Sequence, residues 1–414
     1  MKLGTPGFAG TALREAREAR GITASSLSDL LGVTRSAVSQ YELGIQSPRP
    51  EILERICSAL NLPASHFLGR PQLEDFRIVF YRSMSADTKQ ARLRAERRLQ
   101  WLRSMTEYLK GYVEMPSANL PHFAFPQDPK KITLRDIEQA AIETRELWGV
   151  GDAPIANLLR TVENNGVVVA YDDMGNDTMK AASAWAKAEG SYVLLSSHLV
   201  AASARYELAR QIGHLVLHRQ IVKQQLATNN DFALLKQQAS RFGAALLLPE
   251  SSFSADLYSL SLDAMRIVKQ KWKTPIGVMI KRMTDLKSIT ADQATRLCIG
   301  KSRRGWKEST EPLDDELPIE NPRLLSESVS LLIEEQVLSK SEILHDLPYS
   351  DRDLELLTGM PQGYITDTMP VISIIPPKQR RLELTRGTPA PLISFPAPAK
   401  STPEVKYKKR KGGQ

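Results

Sequence analysis

The stretch from Gly21 to Gly44, GITASSLSDLLGVTRSAVSQYELG, allows few local structures. Its leading apolar residues share one face of a short helix. They are Leu27, Leu30 and Leu31. Gly32 then allows a tight turn, and Val38 and Tyr41 give the following segment its own apolar anchors. The pattern therefore predicts two short helices that pack against each other across a glycine turn.

The second of these helices turns polar side chains outward. They are Thr34, Arg35, Ser36, Ser39 and Gln40. A glutamine amide can hydrogen-bond adenine in two places, an arginine can do the same with guanine, and serine reaches bases or phosphates. A packed helix followed by such a helix is the helix-turn-helix arrangement, whose second helix enters the major groove. These side chains are therefore predicted to contact double-stranded DNA.

A later stretch, RYELARQIGHLVLH from Arg205 to His218, has the spacing of a zinc-binding helix without its chemistry. In such a helix, histidines at i and i+4 hold Zn²⁺ and a glutamate at i+1 activates the bound water. Arg210 stands at the first histidine, Gln211 at the glutamate and His214 at the second histidine. Arginine cannot ligate a metal, and glutamine cannot take a proton from water. A peptidase reaction is therefore not expected.

Two further side chains of this helix share faces with the degenerate positions. Glu207 lies three residues before Arg210 and is predicted to pair with it. That pair is either a charge-balanced replacement for a metal ion or an ordinary surface salt bridge. His218 lies one turn after His214, but no cysteine or third histidine is near in sequence. A packing or surface role is therefore expected for His218.

Both stretches carry family resemblances. Residues 10–68 resemble the Cro/CI-type (XRE) DNA-binding domain, although Ala24 stands where that family usually has a phosphate-contacting glutamine. The later stretch is preceded by ETRELWGVGDAPIANLLRTVENNGVVV and followed by ASRFGAALLLP. It resembles the ImmA/IrrE-type metallopeptidase family over about residues 76–249, and more loosely to about residue 356. That resemblance implies an acidic third zinc ligand at the position that Gln238 occupies here.

The predicted fold class is mainly α and multidomain. An all-α helix-turn-helix domain (8–70) is expected first, and a helical connector (71–131) follows it. An α+β zincin-like pseudo-metallopeptidase domain (132–260) is next, with strands near 166–171, 181–186 and 191–195. A helical C-terminal region (261–366) completes the folded part. Residues 367–414 are rich in proline and basic residues and are predicted to be disordered.

The net charge of +8 is confined to the last 38 residues of the chain. Residues 377–414 carry ten Lys or Arg against two Glu, so the remaining residues balance to zero. The basic character of the chain therefore describes the tail and not a folded domain. Two roles for the tail are left open: solvated disorder, and a flexible arm that contacts DNA phosphates.

Composition indicates a cytoplasmic protein. The two cysteines, Cys57 and Cys298, are far apart in sequence and fit a reducing compartment. No apolar run approaches the ~20 residues of a membrane span. The first residues also lack the layout of a signal peptide.

The expected function is sequence-specific transcriptional regulation, with the zincin-like domain acting as a sensing or interaction module. A homodimer would match a pseudo-palindromic DNA operator, and no cofactor or metal is expected. The effector of the second domain is left open between a small molecule and a protein. Two alternatives also stay open. One is an antitoxin-like or anti-repressor-like interaction module with secondary DNA autoregulation, and the other is a residual zinc peptidase.

Overall fold

Short helices form the first 68 residues of the chain. The computed structural model describes residues 4–68, 76–81, 89–175, 178–186, 190–221, 229–307 and 309–367. The first helices are α1 (Gly10–Ala19), α2 (Ala24–Leu31), α3 (Arg35–Glu42), α4 (Pro50–Leu60) and a 3₁₀ turn (Ala64–Phe67). Thr23 begins α2 by accepting the Ser26 N–H at 3.0 Å, and Gly32 ends it in the left-handed region at φ 63°. The predicted pair of helices around a glycine turn is confirmed.

One expected core residue of this region is not in the core. Leu27, Leu31 and Val38 are buried, but Leu30 is 60% exposed. Leu27 and Leu31 are one helical turn apart and point at the same neighbours, whereas Leu30 lies on the flank of that face. The apolar face of α2 is therefore narrower than the sequence pattern predicted.

The segment expected as a helical connector is a central part of the structure. Helix α5 (Lys89–Lys110) packs against α1, against the sheet and against two helices from the end of the folded chain. Its side chains Trp101, Leu102 and Met105 are fully buried. The same segment also supplies a strand, β1 (Val79–Tyr81), which the sequence did not predict. Residues 76–81 and 89–110 thus belong to the core that the connector was expected to link.

A four-stranded sheet lies between two apolar cores. The other strands are β2 (Val167–Asp172), β3 (Ala181–Ala186) and β4 (Gly190–Ser196), and the order in the sheet is β1-β3-β4-β2. β2 runs parallel to β4, while β1 and β4 both run antiparallel to β3. Val168 and Leu194 face one core, and Val169 and Val193 face the other. Burial on both faces explains why the strands are almost continuously apolar.

Helices cover the second face of the sheet, and among them is the helix that carries the residues predicted to be degenerate zinc positions. They are α6 (Leu134–Leu147), α7 (Leu158–Asn164), α8 (Ala201–Leu217) and α9 (Asn229–Leu247), with a 3₁₀ turn at Pro129–Lys131. The contact between α8 and α9 is close because each contributes a glycine. A Cβ on Gly213 would lie 3.0 Å from the Ala239 carbonyl oxygen, and a Cβ on Gly243 would lie 2.9 Å from the Arg210 nitrogen.

The remaining helices divide between the two cores. They are α10 (Glu250–Ala255), α11 (Leu262–Trp272), α12 (Ile276–Asp285), α13 (Ala291–Arg303), α14 (Leu324–Glu334), α15 (Lys340–Asp346) and α16 (Asp351–Thr358). Helices α11 to α13 extend the core that contains α8 and α9. Helices α14 to α16 return to the core shared by α1, α2 and α5. The predicted disordered tail lies outside the described residues, apart from its first residue, Asp367.

Candidate functional site

Helix α3 carries the residues predicted to contact DNA. Thr34, Arg35, Ser36 and Ser39 are exposed, and Gln40 is half-buried. Thr34 precedes the helix, and its hydroxyl accepts the Ala37 N–H at 3.2 Å, so this side chain also fixes the start of α3. Val38 holds the opposite face in the core. The helix is therefore anchored on one side and presents hydrogen-bonding groups on the other.

A buried network of charges ties this region to the rest of the fold. Arg20, which directly follows α1, donates to both carboxylate oxygens of Asp353 in α16, at 2.8 and 2.5 Å. Arg98 of α5 donates to the same carboxylate at 2.5 Å and to both oxygens of Asp172 in β2, at 2.8 and 2.9 Å. Two arginines and two carboxylates thus join α1, α5, β2 and α16 with no net charge.

Arg210, which the sequence analysis aligned with the first zinc histidine, forms a buried ion pair. Nη1 of Arg210 donates to both carboxylate oxygens of Glu207, at 2.8 and 3.0 Å. Both side chains are almost fully buried, so the pairing that the sequence predicted is confirmed, but it is not a surface salt bridge. A buried pair of this kind needs both partners, because either one left alone is an uncompensated charge.

His214, His218 and Gln238 form a hydrogen-bonded chain. The Gln238 amide nitrogen donates to the Pro129 carbonyl at 2.7 Å, which directs its oxygen to Nε2 of His218 at 3.0 Å. His218 Nε2 therefore carries a proton, and its Nδ1 accepts from Nδ1 of His214 at 3.0 Å. Nε2 of His214 is left without a proton and has no hydrogen-bond partner.

Both imidazoles of this chain are buried and neutral. Burial lowers the pKa of His218 to about 4. Burial also lowers the pKa of His214 well below its ordinary value, and its interactions with the His218 ring and with the Arg210 charge lower that pKa further. His218 is thus a buried packing residue whose ring orders both His214 and Gln238. Its i,i+4 spacing from His214 was the only sequence signal for this role.

Two residues that the sequence analysis missed contact Gln211 and His214. The hydroxyl of Ser183 in β3 donates to the side-chain oxygen of Gln211 at 2.6 Å. The ring of Phe80 in β1 stacks on the ring of His214, with centroids 4.9 Å apart and planes within 9°. No sequence signal marked either residue, because both reach the site by strand pairing with distant parts of the chain.

These residues do not fit a zinc ion. The structure brings His214 and Gln238 together through His218, while Arg210 turns to Glu207 and Gln211 turns to Ser183. A guanidinium in the first-ligand position offers no lone pair and opposes a cation. Among the residues that the structure describes, no group of three or more His, Cys, Asp or Glu side chains could hold a metal ion.

The helices of the described ranges include none that is both long and apolar enough to cross a membrane. This finding agrees with the expectation from the sequence, where no apolar run approached the length of a membrane span.

Comparisons with known proteins match the two regions separately. Residues 13–67 match the helix-turn-helix family, and residues 162–284 match the IrrE N-terminal-like domain. A segment of 65 residues is 35% identical to the HTH-type transcriptional regulator SutR of Escherichia coli (strain K12), covering 16% of this chain. The chain spans about a third of the length of that relative, since the match covers 36% of it. The chain therefore carries an XRE-type helix-turn-helix domain followed by an IrrE/ImmA-like domain.

Proposed function

We propose that this chain is a sequence-specific DNA-binding transcriptional regulator whose IrrE-like domain has lost zinc and peptidase chemistry. In this proposal that domain serves as a sensing or interaction module, and two copies of the chain bind a two-half-site operator. The buried pair of Arg210 with Glu207 carries the proposal, because it places a fixed cation where the first zinc ligand would stand. The glutamines at 211 and 238 support it, because neither can act as a base or as an anionic ligand.

The DNA-binding part rests on the exposed face of α3. Loss of one bidentate hydrogen-bonding contact to a base costs about 1–3 kcal/mol of binding free energy, and only binding to the specific site is weakened. Gln40→Ala is therefore expected to weaken operator binding about 5-fold to 150-fold and to leave random-sequence DNA nearly unchanged. Genome-wide mapping of the tagged protein supplies the operator, and binding titrations measure the ratio.

Gln362→Ala is the matched control, since Gln362 is an exposed glutamine near the far end of the described chain. It is expected to leave both affinities unchanged. If Gln40→Ala weakens specific and random DNA equally, then Gln40 contacts phosphate or only packs, and the assignment of base reading to this residue is wrong.

The loss of zinc is tested by elemental analysis after mild purification of the full chain. No stoichiometric zinc is expected, because the buried arginine opposes a cation. About one zinc per chain that disappears in His214→Ala would overturn this part of the proposal. A zinc content that His214→Ala leaves unchanged would be adventitious and would support it.

A further inference from the structure

A cavity of about 400 Å³ opens at the end of the sheet where β2 begins, β3 ends and β4 begins. Val168 lines it from β2, Trp185 from β3 and Gly190 from the start of β4. Its volume lies in the range of small-molecule sites in proteins, about 300–1,000 Å³. Arg210 and His214 are not among the described residues that line it. The cavity is therefore distinct from the site that the sequence analysis aligned with a zinc centre.

Elements of both large apolar cores line this cavity. Lys110 at the end of α5 and Leu324 at the start of α14 belong to helices of the core that includes the helix-turn-helix region. Trp185 packs against the core of α8 and α9, and Arg219 follows the end of α8. A ligand in the cavity would therefore contact elements of both cores at once.

Arg219 gives the cavity a positively charged group that is held in place by an aromatic ring. Its guanidinium lies over the Trp185 ring, 4.1 Å from the ring centroid. The indole N–H of Trp185 donates to the Leu215 carbonyl at 2.9 Å, which fixes the ring. A guanidinium stacked on an aromatic ring keeps the N–H groups at its edge for two parallel hydrogen bonds to a carboxylate.

Lys110 adds a second positive charge to the wall of the cavity. Its ammonium donates to Glu107 at 2.8 Å, and the same carboxylate oxygen accepts the Tyr192 hydroxyl at 3.0 Å. A Cβ on Gly190 would lie 3.9 Å from the ammonium nitrogen, so the ammonium reaches the start of β4. Lys110 lines the cavity, whereas neither Glu107 nor any other acidic residue is part of its described lining. The described lining is therefore positively charged.

Apolar side chains form a second part of the described wall. They are Met115, Ala118, Val168 and Leu324. Gly166 lets residues 115–118 pack directly on the start of β2, because a Cβ at this position would overlap the Ser117 carbonyl oxygen. Positive charge beside an apolar wall fits a ligand that has an anionic group at one end and a compact apolar body.

We propose that this cavity binds a small organic carboxylate. The carboxylate accepts from the Arg219 guanidinium beside the positive charge of Lys110, and the apolar body packs against Met115, Val168 and Leu324. Because α5 and α14 connect the cavity to the core of the helix-turn-helix region, the ligand acts as the effector of the IrrE-like domain, a role that rests on the proposed function.

Two compounds of nearly equal size and shape test the charge preference on the full-length protein. They are 4-phenylbutyrate and its neutral amide, 4-phenylbutyramide, and titration calorimetry measures both dissociation constants. The carboxylate is expected to bind about tenfold or more tightly, because hydrogen bonds between a guanidinium and a carboxylate are charge-assisted. Equal affinities, or no binding of the carboxylate, would overturn the proposal.

Arg219→Met tests the anchor, since methionine keeps an unbranched apolar side chain beside Trp185 and removes the guanidinium. In this variant the preference for the carboxylate is expected to be largely lost. Arg296→Met is the matched control, because Arg296 is an exposed arginine of α13 that does not line the cavity. It is expected to keep the wild-type preference. A preference that survives Arg219→Met undiminished would exclude Arg219 as the anchor and overturn the proposal.

A bulky side chain in the cavity separates this site from any other surface that binds the two compounds. Ala118→Phe places a ring in the space of the ligand and is expected to abolish binding of both compounds. The midpoint of its urea unfolding is expected to stay near the wild-type value, because Ala118 is only half-buried. Binding that persists in this variant would show that the compounds bind elsewhere.

The effector role is tested by measuring operator affinity with and without saturating 4-phenylbutyrate. A change of about fivefold or more in the dissociation constant of the operator is expected in the wild type and not in Arg219→Met. An unchanged operator affinity would overturn the effector role. Carboxylate binding by a protein that binds no specific operator would support the cavity assignment and refute the proposed function. Failure of carboxylate binding, with operator binding and zinc content as expected, would refute this inference alone.

Discussion

Replacing Asp353 with asparagine is expected to be among the most destabilising isosteric changes in this chain. The Asp353 carboxylate is buried and accepts three N–H bonds from Arg20 and Arg98, as well as the Ser350 hydroxyl at 2.6 Å. Asparagine keeps the shape of the side chain but removes its negative charge. The cluster of Arg20, Arg98 and Asp172 is then left with one net positive charge. Breaking a buried ion pair costs about 3–5 kcal/mol. The Arg20 side chain is 21% exposed, so water offsets part of the loss, and about 3 kcal/mol is expected.

Urea unfolding of the full chain measures this loss, and Asp351→Asn is its matched control. Asp351 lies in the same helix but is exposed, so its loss costs only the ~0.3–1 kcal/mol of a charge at a helix N-terminus. A double-mutant cycle of Asp353→Asn with Arg20→Met should give a coupling free energy of about 1–2 kcal/mol. A loss below 1 kcal/mol, or additive effects of the two changes, would refute the reasoning.

The same carboxylate determines how the destabilisation by Asp353→Asn depends on pH. Burial alone would raise the pKa of Asp353, but the hydrogen bonds from Arg20 and the charge of Arg98 hold it well below the ordinary value of 3.8. Because the folded pKa is the lower one, the stabilisation is complete above the ordinary pKa and is lost as the pH falls below it. The difference between wild type and Asp353→Asn should therefore be constant from pH 8 to pH 5 and shrink below pH 4.

Three further predictions concern separate parts of the chain. Burial raises the pKa of Glu163 from 4.5 to about 7, although its carboxylate accepts the N–H groups of Arg323 and Leu324 that open α14. The stability that its proton confers is complete below pH 4.5 and lost as the pH rises through 7, so Glu163→Gln should be the more stable protein at pH 8 by up to about 3 kcal/mol and equal to wild type near pH 4. Urea unfolding at both pH values checks this, and a less stable variant at pH 8 would contradict it. Restoring the zinc-site residues with Arg210→His, Gln211→Glu and Gln238→Glu together is expected to recover zinc binding, measured by elemental analysis, more readily than proteolysis; robust peptidase activity of that variant would show that a working substrate groove has been kept. Removing residues 401–414 is expected to weaken binding to specific and random DNA alike and to lower the log–log salt slope by about 1–3; superimposable slopes would leave this segment without a role in DNA binding.

Local patterns carried most of what the sequence could predict. The glycine turn of residues 21–44 lies within one or two helical turns of the residues that it joins. The same holds for the i,i+3 pair of Glu207 with Arg210 and for the i,i+4 pair of histidines. The apolar runs of β2, β3 and β4 also marked those strands within a residue or two, because burial on both faces leaves a clear signal.

Contacts between distant residues could not be predicted in the same way. Arg20 meets Asp353 across 333 positions, and nothing near either residue indicates the other. β1 is three residues long, too short for alternation to distinguish it from a loop, and its pairing with β3 is decided by the tertiary fold. The covering of His214 by Phe80 therefore emerged only from the structure.

The shared core of α1, α5 and the last helices bears on how this chain can be divided. A fragment that stops before residue 324 would keep both family-matched segments yet lose α14 to α16, of which α14 and α16 pack against α5. Trp101 would lose its neighbour Tyr349, whose ring centroid lies 5.0 Å away, and Arg98 would keep only one of its two carboxylates. Such a fragment should expose apolar surface and aggregate, so the helix-turn-helix domain cannot be excised by following family boundaries.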